Sequence, residues 1–147
     1  MRLGRKKGCI MLGIRTILHA TDFSEPSNSA LRLACALARD QGARLIVLHV
    51  VPTSLAAEKR GFGDDLADEL NRLAIPDQQI RAERRLEEGD PVAQILRVAG
   101  ETGCDLIVMG THGRTGLGRL LMGSVAEQVV RKALCPVLTV KMPQHEV

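Results

Sequence analysis

Short apolar runs alternate along the chain with stretches of three-to-four-residue periodicity, and the alternation predicts strands and helices in turn. Residues 14–20, IRTILHA, read as a first strand, broken by Thr21-Asp22-Phe23-Ser24-Glu25-Pro26. Ser24 suits a helix N-cap, and Glu25 and Pro26 suit a first helical turn. A helix over 26–41 carries Ala30, Leu31, Ala34, Leu37 and Ala38 on one face, with Gly42 as its C-terminal stop. Residues 43–51, ARLIVLHVV, are apolar on both faces, as a central parallel strand requires. Residues 53–64, with Gly61 and Gly63, read as a loop, followed by a helix over 65–74 on Leu66, Leu70 and Leu73. Residues 79–87 form a third strand polar enough for a sheet edge. Asp90 as N-cap and Pro91 at the first helical position open a helix with Val92, Ile95, Leu96 and Ala99 inward, ended by Gly103. A fourth strand over 105–110, a helix over 124–134 and a last strand Val137–Val140 complete the series.

Strands and helices alternating in this way imply an α/β domain, a parallel sheet with helices on both faces and right-handed crossovers. Ligands of such sheets bind outside the carboxyl ends of the strands, where the strand order reverses. The loops there include Thr21 to Glu25 and Gly110 to Gly123. The second joins strand to helix through Gly110, Gly113 and Gly123-Ser124. Glycines bring backbone close to a ligand, and a helix N-terminus directs unpaired N–H groups at an anion. Gly123 and Ser124 could equally do no more than start a helix, since Ser124 and Glu127 make an S-x-x-E capping box. Asp22, directly after the first strand, is either a turn residue or a carboxylate for ribose hydroxyls. His19 and His49 fall inside strands and read as interior residues; His112 stands between two loop glycines.

Composition narrows the function. At 147 residues the chain fits one domain, with 45% hydrophobic residues, two Phe and neither Trp nor Tyr. Without aromatics it has no base-stacking platform for nucleic acid. Arg2, Arg5, Lys6 and Lys7 alone exceed the net charge of +3, so the remainder is close to neutral. Residues 1–12 read as a loosely held extension, with Met11 an alternative start, and 143–147 as a tail. Cys9, Cys35, Cys104 and Cys135 have neither disulfide-framework nor zinc spacing and suit reduced thiols in the cytoplasm. No apolar run is long enough for a membrane span.

Taken together, these motifs resemble the universal stress protein family, in its ATP-binding subgroup. The subgroup's G-x2-G-x9-G-[ST] signature is present as Gly110, Gly113, Gly123 and Ser124. Thr21-Asp22-Phe23-Ser24, His49-Val50, Glu88 to Pro91 and Cys135 to Lys141 match further family patterns. The resemblance covers 13–142, with 53–78 in the family's variable region. It implies a single Rossmann-like domain with a five-stranded parallel sheet in the order 3-2-1-4-5. It implies ATP across the strand ends, with adenine and ribose at Ala20, Thr21, Asp22 and the Val50 backbone. The phosphates would meet Gly110, Gly113, Gly123, Ser124 and Val125, with Met109, His112 and Arg114 beside them and Mg²⁺ or Mn²⁺ as a bridging cation. Ala20 departs from relatives that carry Pro or Val and leaves room for the base. The resemblance also implies a homodimer through Val137–Val140 and a stress-response role as a nucleotide-dependent regulatory or interaction module, at most a slow ATPase. The alternatives are a nucleotide-free interaction module, from members lacking the glycines, and a dedicated ATPase or phosphotransferase, for which no Walker A lysine is present.

Overall fold

The computed structural model describes residues 13–54, 62–111 and 122–141 (backbone alone at 62–64). The elements are β1 Thr16–Ala20, α1 Glu25–Gln41, β2 Arg44–Val51, α2 Phe62–Asn71, β3 Ala82–Glu88, α3 Pro91–Thr102, β4 Leu106–Gly110, α4 Ser124–Lys132 and β5 Val137–Val140. All five strands are parallel, in the order β3-β2-β1-β4-β5, as the resemblance implied.

The period-two geometry of strands divides the core into two layers. Ile17, Leu45, Val47, Leu106 and Val108 pack with Ala30, Leu31, Ala34 and Ala38 of α1. Leu18, Ile46, Leu48, Ile107 and Met109 face the other way, onto Val92, Ile95 and Val98 of α3 and Ala126 and Val129 of α4. Each fully buried aliphatic side chain contributes roughly 1.5–3 kcal/mol of transfer free energy. The small face of α1, built on alanines, lets this helix lie close to the sheet.

Local signals set most boundaries. Ser24 accepts a hydrogen bond from the Ser27 amide and caps α1; Asp90 does the same for α3 through Ala93. Gly42 and Gly103 close those helices in the left-handed region, at φ 66° and 63°, where a Cβ would be strained. Asp105 accepts from the amides of Arg15 and Thr16 at 2.9 and 3.1 Å and ties the start of β1 to β4.

The boundaries around α2 and β3 depart furthest from the sequence pattern. Thr53 and Ser54 are helical, and α2 begins at Phe62, so 53–64 is not one loop; residues 55–61 lie outside the described set. The buried anchors Leu66 and Leu70 outweigh the cost of a helical glycine, about 1 kcal/mol. The helix also ends earlier, at Asn71, because Arg84 of β3 reaches across and donates to the Leu70 and Leu73 carbonyls at 3.2 and 2.9 Å. Before β3, Asp77 holds a turn, accepting from the Gln79 amide through its side chain and from Ile80 through its carbonyl. This delays the strand to Ala82, and β3 is indeed an edge.

Two residues carry strong local constraints. At Gly110 a Cβ would lie 3.1 Å from both the carbonyl carbon and the oxygen of Pro26. The first turn of α1 rests directly on the end of β4, and Gly110 suits that close approach. His19 is fully buried, bonded through Nδ1 to the Val108 carbonyl at 2.9 Å. Burial lowers its pKa to about 4, against partial opposition from the Val108 carbonyl and the Asp22 carboxylate.

Two outcomes follow from these constraints. Gly110→Ala should destabilise the fold by about 1–3 kcal/mol, the usual cost of overpacking, read as a lower urea midpoint. His19 is held neutral in the folded chain, whereas the unfolded chain takes up its proton near pH 6.5. Its contribution to stability is therefore full above that pH and is lost as pH falls toward 4, by about 3 kcal/mol. Urea titrations between pH 7 and 4 should show His19→Leu losing about that much less stability than the parent; equal losses would contradict the assignment.

Candidate functional site

β1 and β4 are neighbours in the sheet, but their following helices leave toward opposite faces, α1 on one side and α4 on the other. That is the switch point at which open parallel sheets form a crevice. A cavity of about 610 Å³ occupies it, reaching from α2 and the end of β2, past the end of β1, to the start of α4. The volume lies in the range of small-molecule sites, roughly 300–1,000 Å³.

The segment after β1 is held by its own hydrogen bonds. The Thr21 amide donates to the Leu48 carbonyl at 2.8 Å, and the Phe23 amide to Thr21 Oγ1 at 3.0 Å. Ser27 Oγ bonds Thr21 Oγ1 and accepts from the Asp22 amide, both at 3.1 Å. Asp22 Oδ1 accepts from the Ser24 amide and the Ser24 hydroxyl. Asp22 is thus the turn residue that its position suggested, and it also lines the cavity. Phe23 pays for this tight path with φ 67°, uncommon for a bulky residue. Its ring lies 4.5 Å from that of His49, tilted by 44°, and His49 Nδ1 donates to the Thr21 carbonyl at 2.7 Å. A contact from β2 therefore pins the end of β1. The sequence pattern made His49 an interior residue; the structure leaves it half-buried on the cavity wall.

At the opposite end stands α4. Its N-cap is Gly123, extended at φ −72° and ψ 165°, with no side chain to cap the helix. Ser124 is one position too late, inside the first turn, and exposed. The capping box with Glu127 therefore does not form. The stability cost of about 1 kcal/mol that a serine N-cap would carry does not apply, and the Ser124 hydroxyl is not committed to the helix. The first-turn amides of Ser124, Val125 and Ala126 have no partner among the described residues. All three residues and Gly123 line the cavity. Unpaired N–H groups combine here with the positive end of the helix dipole.

Ala20, Thr21, Asp22, Val50, Met109, Gly110, Gly123, Ser124 and Val125, drawn from four separate segments, thus meet around one cavity. A Cβ at Gly110 would also crowd the Pro26 backbone, at 3.1 Å. His112, Gly113 and Arg114 lie outside the described residues. Sequence reasoning missed Asp65 and Glu69, which α2 brings to the wall beside β2. Their spacing of four places both on one helical face, but no motif marks them. Among the described lining residues there are three carboxylates, Asp22, Asp65 and Glu69, and no Lys or Arg. Among the described residues the wall carries amide donors at α4 and carboxylates after β1 and on α2.

A model of the universal stress protein family matches residues 13–141. Universal stress protein MJ0531 of Methanocaldococcus jannaschii is 34% identical over 90% of this chain and 85% of its own length. The solved structure of MJ0577, from the same organism, superposes with a TM-score of 0.73 at 31% identity, over 92% of this chain and all of that one. The Archaeoglobus fulgidus universal stress protein solved in complex with dAMP gives 0.68 at 25% identity, over 89% of this chain and 100% of that one. With the sheet order, the crevice at the β1–β4 switch point and the matched span in agreement, the chain belongs to the universal stress protein family.

Proposed function

We propose that the cavity binds an adenine nucleotide, ATP foremost, and that the protein is a nucleotide-dependent regulatory module of the stress response. The observation that carries this reading is the first turn of α4, whose three amides have no partner among the described residues and open on a cavity of about 610 Å³. Such a helix start is a ready anion site. With phosphates there, the nucleoside extends along the strand ends toward Thr21, Asp22 and Val50, as the polarity of the wall favours. A carboxylate end attracts hydrogen-bond donors, such as ribose hydroxyls and an exocyclic amine, and repels phosphate. The relative solved with dAMP supports an adenine nucleotide as the ligand class.

Mg²⁺ or Mn²⁺ fits as a companion of the phosphates. No group of three or more ligating side chains stands together among the described residues. Mg²⁺ needs no such cage, since it is commonly held by phosphates and one or two carboxylates. Asp22 is the nearest candidate on the described wall, and the ion would neutralise phosphate charge there.

The same geometry argues for binding rather than turnover. Asp22 Oδ1 is committed to Ser24, and His49 Nδ1 to the Thr21 carbonyl. Neither arrangement presents an activated general base. ATP occupancy is read instead as a state of the module, displayed to a protein partner. Its setting is the cytoplasm, whose reducing milieu suits the free thiols Cys35, Cys104 and Cys135 at rest. β5 is an edge strand with Leu138 exposed and Leu134 fully exposed just before it. A second copy pairing along Val137–Val140 would cover that edge in a homodimer.

Equilibrium dialysis with labelled ATP and Mg²⁺ tests the site; no binding at millimolar ATP would remove the proposal. Ser124→Pro deletes the amide donor together with the hydroxyl, whereas Ser124→Ala deletes the hydroxyl alone, so the difference between the two variants isolates the amide. Proline is favoured at the first helical position, so α4 should persist while these donors are deleted. ATP affinity should fall about tenfold or more, the worth of one hydrogen bond to a charged group, with little change in Tm. Ser124→Ala should leave stability within about 0.5 kcal/mol. Phosphate release faster than about 1 s⁻¹, the low end for enzymes, would instead make the protein an ATPase.

A further inference from the structure

On the rim of the sheet opposite the cavity, Cys104 and Cys135 bring their sulfur atoms to 3.7 Å. Both are free thiols. Cys104 follows Gly103, which closes α3, and Cys135 lies in the link between α4 and β5. The two are neighbours because β4 and β5 start side by side: Ile107 pairs with Val137, and the Ile107 amide donates to the Pro136 carbonyl at 3.0 Å. Both belong to the same core layer, Cys104 buried within it and Cys135 half-buried against it.

We infer that Cys104 and Cys135 form a site of reversible oxidation, closing an intramolecular disulfide when the chain meets a hydroperoxide. A disulfide has its sulfurs about 2.05 Å apart, so they must approach by about 1.7 Å. The link bearing Cys135 can supply that movement. Residues 133–136 belong to neither helix nor strand, and Leu134 packs against nothing, being fully exposed. Cys104, by contrast, is held by its amide, which donates to the Ala99 carbonyl at 3.1 Å.

The two thiols differ in role. Burial pushes the Cys104 thiol up to about 12, with Cys135 beside it adding to the effect. Cys104 therefore stays protonated, and half-exposed Cys135 meets the oxidant first. The Cys135 sulfur attacks the peroxide; the S–O bond forms, the O–O bond breaks, and the leaving oxygen takes the thiol proton. The Cys104 sulfur then attacks Cys135 Sγ; the S–S bond forms, the S–O bond breaks, and hydroxide leaves with the Cys104 proton as water. Two thiols lose two electrons in all, and one hydroperoxide gives one water and one alcohol, or two waters from hydrogen peroxide. The ring so closed spans 104–135 and holds β4 and α4 together. Cys35 lies in the other core layer, out of reach.

Treatment of the full-length reduced protein with hydrogen peroxide, followed by peptide mapping without reductant, tests the assignment. The expected result is a linked Cys104–Cys135 peptide pair, 2 Da lighter than its separate parts and restored by a thiol reductant. The linked chain should melt about 5 °C or more above the reduced one, because closing a long loop restricts the unfolded state. Cys135→Ser should abolish the link, and Cys35→Ser should preserve it. Cys135→Ser changes only the half-exposed partner, so the test survives if Cys104→Ser fails to fold. Oxidation of Cys135 to sulfinic acid without linkage, linkage mainly through Cys9 or Cys35, or a linked chain that melts below the reduced one would each overturn the proposal.

Discussion

The approach of α1 to the end of β4 is the constraint on which the rest of the site depends. A Cβ at Gly110 would lie 3.1 Å from the Pro26 carbonyl, so any larger residue there pushes the two elements apart by a few tenths of an ångström. The contact fixes where α1 starts, and so where the chain must turn after β1. That turn has four residues' space in which to leave a strand and enter a helix. It does so through Thr21, Asp22, Ser24 and Ser27 bonding one another, with Phe23 forced to φ 67°. A polar knot beside an apolar crevice is the result.

The chemistry of the crevice follows from parallel-strand geometry. Both faces of the sheet are covered by helices, leaving the strand ends as the place for a ligand. Those ends mix backbone with side chains as different as Ala20, His49 and Met109. Amide direction counts there beside side-chain identity. This is why an uncapped helix start matters: a serine at position 123 would take up one of the amides that Gly123 leaves open. The carboxylates of Asp65 and Glu69 at the far end supply the opposite polarity among the described residues of the wall.

Histidine and cysteine show how environment assigns roles to like residues. His19 and His49 both bond a backbone carbonyl through Nδ1. His19 is sealed in the core and held neutral at a pKa of about 4, whereas His49 reaches the cavity wall. Cys35 and Cys104 are both buried, with thiols raised by burial, but among the described residues only Cys104 has a second sulfur within reach. Sequence position does not distinguish the members of either pair.

Sequence patterns alone carried the strand and helix series, the caps at Ser24 and Asp90, the stops at Gly42 and Gly103, and, through its motifs, the family and sheet order. These are local properties: periodicity, φ preference and short-range hydrogen bonding act within a few residues, so they can be read along the chain. Tertiary contacts decided the rest. The end of α2 depends on Arg84 from β3, and the identity of residue 110 on Pro26 from α1. The placement of Asp65, Glu69 and His49 at one cavity depends on three elements distant in sequence. Ser124 became a first-turn residue instead of a cap because the chain reaches α4 in an extended conformation at Gly123. The first three are set by long-range partners, and a one-dimensional pattern does not hold the distance between partners.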